Sequence, residues 1–590
     1  MTGRPRMPHL VIFNPDQWRG DVLGHLGNAG AVTPNLDRWV ATDAVSFRYA
    51  FCQNPVCTPS RCSFMTGWYP HVRGHRTMFY MLRPDEPVLL KRLKDNGYFV
   101  WWGGKNDLVP AQHGYDPYCD VKHDPRAAGR PVRPMFAMDR QREWRGPPGS
   151  DTYYSFYVGR LDVPAGEDHY HDSDWAHVQG AIDLIRRYGR GQGPAAQAGK
   201  PLCLYLPLTY PHPPYAVEDP WYSMIDRTQL PPRLPTPDGW RGKPSLLKGI
   251  WERQRLQSWT EERWTELRAT YYGMCARVDH QFGLVMDALR EAGLYDDTAV
   301  FFFPDHGDFT GDYGLVEKTQ NTFEDCLVRV PLLIKPPRGV PVRPRVSEAI
   351  VELIDVPATV EALTGLPPTH THFGRSLLPV LAGETDEHRD AAFCEGGRRH
   401  GERQAMELES TSSQDPSGLY WPRVGLQSSE GPEHTKAAMC RTREFKYVRR
   451  LYEPDELYDL CARTPGSCAM WRMMRVTRAC WRNSRSGCSP GTKTPATWCR
   501  STPTAGASGG PHLLGAAGAP QAGTGAEGVV GVLSPVRPRA LDESVTFSFS
   551  KPMTWPAPPL MRTVSSPTAS AVISVDGSPS QMVSVARSGS

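Results

Sequence analysis

Short apolar runs that stop abruptly at polar residues recur along this chain. Leu10–Phe13 ends at Asn14-Pro15-Asp16-Gln17, and Tyr98–Trp102 at Gly103-Gly104-Lys105-Asn106-Asp107. Leu202–Leu208 ends at Thr209-Tyr210-Pro211-His212-Pro213-Pro214, and Thr298–Phe303 leads into Asp305-His306-Gly307-Asp308. Runs of this kind, bounded by turn formers, read as buried strands; Val328–Ile334 supplies another. Residues 88–97, 174–188 and 260–292 read as helices. The last carries Tyr271, Tyr272, Met274, Val278 and Phe282 on or near one face, a stripe that reads as core packing. Open α/β sheets place ligands just beyond the carboxyl ends of their strands. The polar residues that end each run are therefore the candidate chemistry. Residues 110–175 lack clear periodicity and read as a long insertion, and 189–200 as a surface loop. Short runs such as Phe445–Val448 make 390–460 a small antiparallel subdomain.

Composition changes the picture mainly at the C-terminus. The 590 residues carry 67 Lys+Arg against 63 Asp+Glu, but 13 of the basic and 4 of the acidic residues lie after Leu460. The first 460 residues thus hold 54 basic against 59 acidic, so the basic balance belongs to the tail and is poor evidence for a nucleic-acid partner. In 461–590, Ala, Gly, Pro, Ser and Thr make up 75 of 130 residues, which reads as low complexity. Back-translating 463–475 with GC-rich codons and shifting the frame by one position yields Asp-Pro-Gly-Glu-Leu-Arg-Asn-Val-Ala-Asp-Asp, so the expectation is an out-of-frame or disordered tail without function. The apolar run at the N-terminus is too short for a signal-peptide core. No stretch of roughly 18 apolar residues offers a membrane span. Five of the 14 cysteines are in the tail and the other nine lack framework spacing. The expectation is a cytoplasmic protein with no membrane partner.

Cys57-Thr58-Pro59-Ser60-Arg61, followed by Met65-Thr66-Gly67, is the stretch around which the rest is organised. A helix opening near Ser60 puts residue 57 at its N-terminal end, where free N–H groups and the helix dipole favour anions. The segment resembles the signature of the type I sulfatases, of the alkaline-phosphatase-like superfamily, in which this cysteine is oxidised to Cα-formylglycine. Asp16-Gln17 and Asp305-His306-Gly307 are similar, in chain order, to that family's metal residues. Pro211–Pro214 and Gly311–Lys318 resemble two of its active-site loops, and the likeness runs from roughly 8 to 460. It implies an α/β fold: a three-layer sandwich on a large mixed, mostly parallel sheet, with a small C-terminal antiparallel subdomain. The divisions expected are a catalytic domain over 8–380, the subdomain over 381–460 and the tail over 461–590.

The resemblance also implies a reaction, the hydrolysis of sulfate esters. Catalytic roles fall to Cys57, Arg61, Lys105, His212 and Lys318, and the metal shell to Asp16, Gln17, Asp305 and His306 together with residue 57. Arg61, Lys105 and Lys318 bring positive charge to the sulfate, and His212 or Lys318 protonates the leaving alcohol. A hydrated formylglycine beside one divalent ion attacks sulfur and then expels sulfate. The implied partners are a small-molecule or saccharide sulfate ester and a formylglycine-generating enzyme.

Two departures leave alternatives open. Asp107 stands where the family usually has histidine; a carboxylate there pairs with Lys105 or meets a cationic part of the substrate. Gln17 and His306 replace an acid and an amide, a set that resembles the phosphonate monoester hydrolases and promiscuous arylsulfatases. Imidazole suits transition metals better than hard Ca²⁺, so Mn²⁺ stands beside Ca²⁺. The rival readings are a phosphonate or phosphate ester hydrolase on the same site and an inactive, anion-binding member.

Overall fold

Alternate residues of the predicted strands enter two different cores. Leu10, Ile12, Val100, Trp102, Ala299 and Phe301 join one buried cluster. Val11, Phe13, Phe99, Trp101, Val300 and Phe302 join the other. Both sheet faces are therefore covered, which explains why these strands read as continuous apolar runs. Each fully buried Leu, Ile or Phe contributes roughly 1.5–3 kcal/mol. A computed structural model describes residues 7–127, 129–133, 138–405, 415–460 and the strand Arg472–Met474. All of these lie in the unit Met1–Thr492.

The large sheet has nine strands. Its order is Arg345–Glu352, Val45–Phe51, Leu333–Lys335, Thr298–Phe302, His9–Asn14, Leu202–Pro207, Phe99–Trp102, Val121–Lys122, with Arg329–Val330 pairing Val45–Phe51 off this path. His9–Asn14 is central and runs parallel to both neighbours, with Phe13 opposite Leu206 on one side and Phe302 on the other. Leu333–Lys335 is antiparallel to both of its neighbours, so the sheet is mixed but mostly parallel. One face packs against Glu261–Glu291, a helix opened by a Thr260 side chain that accepts from Arg263 N–H. Against the other face packs Cys57–Thr66, buried along its whole length and ended by Gly67 in the left-handed region. The three-layer α/β expectation holds.

A second, five-stranded sheet is antiparallel throughout, in the order Ala392–Gly396, Ala437–Arg441, Phe445–Arg450, Glu456–Asp459, Arg472–Met474. The expected small C-terminal sheet is thus present, and its last strand comes from beyond residue 460. The reading of 461–590 as an out-of-frame or low-complexity tail otherwise lies outside the described residues.

Two expectations need correction. The 110–175 stretch is not wholly aperiodic: Tyr157–Leu161 pairs in parallel with Tyr215–Glu218. Its alternation was hidden by Gly159, which adopts a positive φ at an irregularity in the register. The 189–200 loop contains a short helix, Pro194–Gln197, started by its own proline. Among the described residues no helix is long and apolar enough to cross a membrane.

Candidate active site

The polar residues after five like-oriented strands meet at one edge of the large sheet. His9–Asn14 delivers Asp16 and Gln17, Val45–Phe51 delivers Cys57, Phe99–Trp102 delivers Lys105, Leu202–Pro207 delivers His212, and Thr298–Phe302 delivers Asp305 and His306. Two glycines are required by close approach. A Cβ on Gly104 would lie 2.1 Å from the Pro207 carbonyl oxygen, and one on Gly307 would lie 1.9 Å from that of Cys326.

Asp16, Cys57, Asp305 and His306 each turn one donor atom inward, and these atoms all lie within 4.8 Å of one another. All four side chains are buried. Cys57 Sγ is 3.1 Å from His306 Nε2 and 3.6 Å from Asp16 Oδ1. His306 Nδ1 lies 2.9 Å from the Gly307 carbonyl oxygen, so Nδ1 carries the proton and donates it there, leaving the Nε2 lone pair facing the other donors. Burial, and then nearby Lys318, hold this imidazole below its ordinary pKa and so neutral. Asp305 Oδ1 accepts from the backbone N–H groups of Gln17 and His306 at 3.1 and 3.0 Å.

This arrangement fits a divalent cation. Two carboxylates, a neutral imidazole turned by a backbone carbonyl and the residue-57 side chain converge, and metal-binding histidines are oriented by such a partner on the other ring nitrogen.

Arg61 is fully buried behind this set. Its Nε donates to Asp305 Oδ2 at 2.9 Å, Nη2 to Asp16 Oδ2 at 2.9 Å, and Nη1 to Asn14 Oδ1 at 2.8 Å. The expectation that Arg61 steadies the sulfate therefore gives way to a different placement: its fork clamps the two carboxylates. Burial works against a charged Asp16, but Lys105 and Arg61 outweigh it and hold this carboxyl well below the usual carboxylate range.

Lys105 reaches the set from the more open side. Its Nζ lies 2.9 Å from Asp16 Oδ2, 3.8 Å from Cys57 Sγ and 2.9 Å from Asp107 Oδ2. Asp107 pairs with Lys105, one of the two outcomes expected for it.

Lys318 and His212 form a second, sealed group. Lys318 Nζ lies 2.9 Å from His212 Nε2, and donates to Gln17 Oε1 at 3.0 Å and to Glu317 Oε1 at 2.6 Å. His212 Nδ1 donates to the Pro213 carbonyl at 2.6 Å, which leaves Nε2 to accept from the lysine. Gln17 and Glu317 both hold φ near +66°, in the left-handed region that non-glycine residues seldom adopt and that clusters at functional sites. The Gln17 amide nitrogen donates to Asp308, so in this structure Gln17 joins the cation set to the Lys318 group.

Glu317, Asp308, Asn14 and Arg423 also belong to the site. Burial opposes a charged Glu317, but Lys318, Arg423 and His212 overcome it and lower its pKa. Arg423 Nε is 3.2 Å from Glu317 Oε2 and donates to the Lys318 carbonyl at 2.5 Å. Glu317 is adjacent to Lys318 in sequence, and Asn14 and Asp308 sit in strand-end runs; those were the available signals. Arg423 had none.

A buried cation set at the carboxyl edge of a mostly parallel sheet, flanked by lysines and a histidine, defines a hydrolase of the alkaline-phosphatase-like kind. The family model described as Sulfatase matches residues 8–366: the chain belongs to the sulfatase family and is a sulfuric ester hydrolase. It is 29% identical over 410 residues to the multifunctional alkaline phosphatase superfamily protein PehA of Trinickia caryophylli, covering 63% of this chain and 77% of that one. It is 26% identical over 422 residues to an arylsulfatase of Clostridium perfringens, covering 67% and 82%. Among solved structures, the phosphonate monoester hydrolase SpPMH of Silicibacter pomeroyi is similar, with a TM-score of 0.56 at 27% identity, covering 77% of this chain and 89% of that chain.

Proposed function

We propose that this chain hydrolyses sulfate esters with a formylglycine derived from Cys57, held beside one divalent cation by Asp16, Gln17, Asp305 and His306. The observation that carries the reading is the convergence of four buried donor atoms, with the His306 lone pair turned toward residue 57. When bound, the cation, Ca²⁺ or Mn²⁺, supplies Lewis acidity, and formylglycine supplies the attacking hydroxyl.

The chain's own residues do the rest. Lys105, which overlooks Sγ at 3.8 Å, binds an oxygen of the ester's acid group. Lys318 Nζ, bonded to His212 Nε2 and to Glu317 Oε1, holds the proton that the leaving alkoxide takes. Arg61 acts as a positioning residue: its planar fork fixes Asp16 and Asp305 at the spacing the cation needs. Burial of the set excludes bulk water and strengthens each of these interactions.

The substrate is a small-molecule or saccharide sulfate ester, and maturation calls for a formylglycine-generating enzyme. The catalytic domain over 8–380, a subdomain that begins at 381 and takes in the strand Arg472–Met474, and a cytoplasmic location complete the proposal. A second reading, phosphonate monoester hydrolysis at the same site, is favoured by the imidazole in the donor set and by the likeness to SpPMH.

Mass spectrometry of the peptide containing residue 57, from protein made with a maturation enzyme, tests the nucleophile. Conversion of the thiol to the aldehyde is expected, together with loss of p-nitrophenyl sulfate turnover in Cys57→Ala. An unmodified cysteine in fully active protein would refute the formylglycine reading.

A further inference from the structure

Lys105 is the cation nearest the open side of the site, and it is already shared. Its Nζ sits 2.9 Å from both Asp16 Oδ2 and Asp107 Oδ2. Asp107 Oδ2 also lies 4.0 Å from Arg61 Nε. The side chains of Lys105 and Asp107 are 16% and 12% exposed, against 0% for Arg61, Asp16 and Lys318. Asp107 thus adds a negative charge at the open margin of the cation set, one side chain away from Cys57 Sγ.

We propose that Asp107 is a specificity-determining residue, a charge filter that favours esters whose acid group carries one negative charge over those that carry two. The inference rests on the proposed function. Sulfate monoesters and phosphonate monoesters have a single negative charge, whereas phosphate monoesters at alkaline pH have two. With a carboxylate at 107, the acid group meets one positive charge fewer than it would with a neutral side chain. A dianion feels that missing charge twice as strongly as a monoanion. Two charges a few ångströms apart in a partly buried site interact strongly enough to shift relative affinity about tenfold or more. Lys105 is kept in place by Asp16 whether or not Asp107 is charged, so the filter is separable from the positioning of the lysine.

Calorimetry on the mature, metal-loaded protein tests this without turnover. The probes are phenylsulfonate, a monoanion, and phenylphosphonate at a pH where it carries two charges. Wild-type protein is expected to favour phenylsulfonate. Asp107→Asn is expected to shift the ratio of the two affinities about tenfold toward the dianion, and Asp107→Glu, which keeps the charge, to stay near the wild-type ratio. Turnover of p-nitrophenyl sulfate, phosphate and phenylphosphonate should follow: in Asp107→Asn the phosphate-to-sulfate ratio rises while the phosphonate-to-sulfate ratio stays level, because both of the latter are monoanions. Equal changes for both probes, an unmoved ratio, or no binding of phenylsulfonate to wild-type protein would overturn the filter. The expected binding ratios without sulfate ester turnover would instead refute the proposed function and leave the filter standing.

Discussion

Arg61 and Arg389 are two of the arginines in this protein that bridge a pair of carboxylates, and the pairs behave differently. At the active site Arg61 holds Asp16 and Asp305. At the far end of Arg345–Glu352, Arg389 holds Glu352 through Nη1 at 2.9 Å and Asp355 through Nε at 3.0 Å. Burial raises both members of this second pair, but Arg389 and His388 bring Asp355 down to about 2. Glu352 stays high, at about 7: burial dominates, neighbouring Asp355 adds to it, and Arg389 offsets only part. One buried arginine, even with a histidine's help on one side, does not keep two neighbouring carboxylates fully charged. At the active site Lys105 is added, and Asp16 stays well below the ordinary range. A pair of carboxylates supplied with an extra cation and left facing an imidazole lone pair is suited to hold a metal ion. The Arg389 pair, closed by Tyr69 and the Phe393 backbone N–H, is structural.

Removing a carboxylate on each side should separate the two roles most widely. Asp16→Ala or Asp305→Ala should lower kcat/KM for a sulfate ester by several orders of magnitude, because each is proposed as a ligand of the cation that would activate the nucleophile. Asp355→Ala should leave kcat/KM of the folded protein close to wild type. Steady-state kinetics on protein checked for folding by circular dichroism reads both.

Removing the arginines should affect stability on both sides and activity on one. Each leaves two buried carboxylates without their main partner, so Arg61→Ala and Arg389→Ala should each cost about 3–5 kcal/mol in denaturant unfolding. Only Arg61→Ala should also weaken metal binding.

Glu352 gives a smaller, pH-dependent effect. Its folded value of about 7 lies above the ordinary glutamate value of 4.5. The native state therefore binds this proton more tightly than the unfolded chain. Its stabilising contribution is full below the ordinary value and is lost as pH rises through about 7. Glu352→Gln should flatten that part of the stability profile, a change on the order of 2 kcal/mol between the two ends. Thermal unfolding followed from pH 5 to about 8 would show it, and an unchanged slope would count against a raised Glu352. The smallest expected effect is at Asp107, where Asp107→Asn should cost about 1 kcal/mol in unfolding free energy, because the amide keeps the shape of the side chain and Lys105 keeps its pair with Asp16.

The strand-end residues were legible because each ends an apolar run: a sheet buried on both faces leaves its polar atoms only at the edge. Asp16, Lys105, His212, Asp305 and His306 were found in this way and by resemblance, Cys57 by the resemblance of its segment alone, and they converge. What Arg61 touches was not legible. Spacing placed it one helical turn beyond residue 57, but only the fold shows that its guanidinium turns back under Asp16 and Asp305. Glu317 and Arg423 escaped for a related reason. The contact that joins them spans 106 positions, so Arg423 left no local pattern, and Glu317 left only its adjacency to Lys318. Tyr157–Leu161 was missed because Gly159, at an irregularity in its register with Tyr215–Glu218, breaks the alternation.

Asp16, Asp305, His306 and residue 57 are proposed to form one divalent-cation site. Metal content measured by native mass spectrometry, on demetallated protein reloaded with Mn²⁺ or Ca²⁺, tests it most directly. One ion per wild-type chain is expected, lost from Asp305→Ala and His306→Ala but retained by Asp355→Ala. One ion per chain retained at full affinity in both Asp305→Ala and His306→Ala would contradict it.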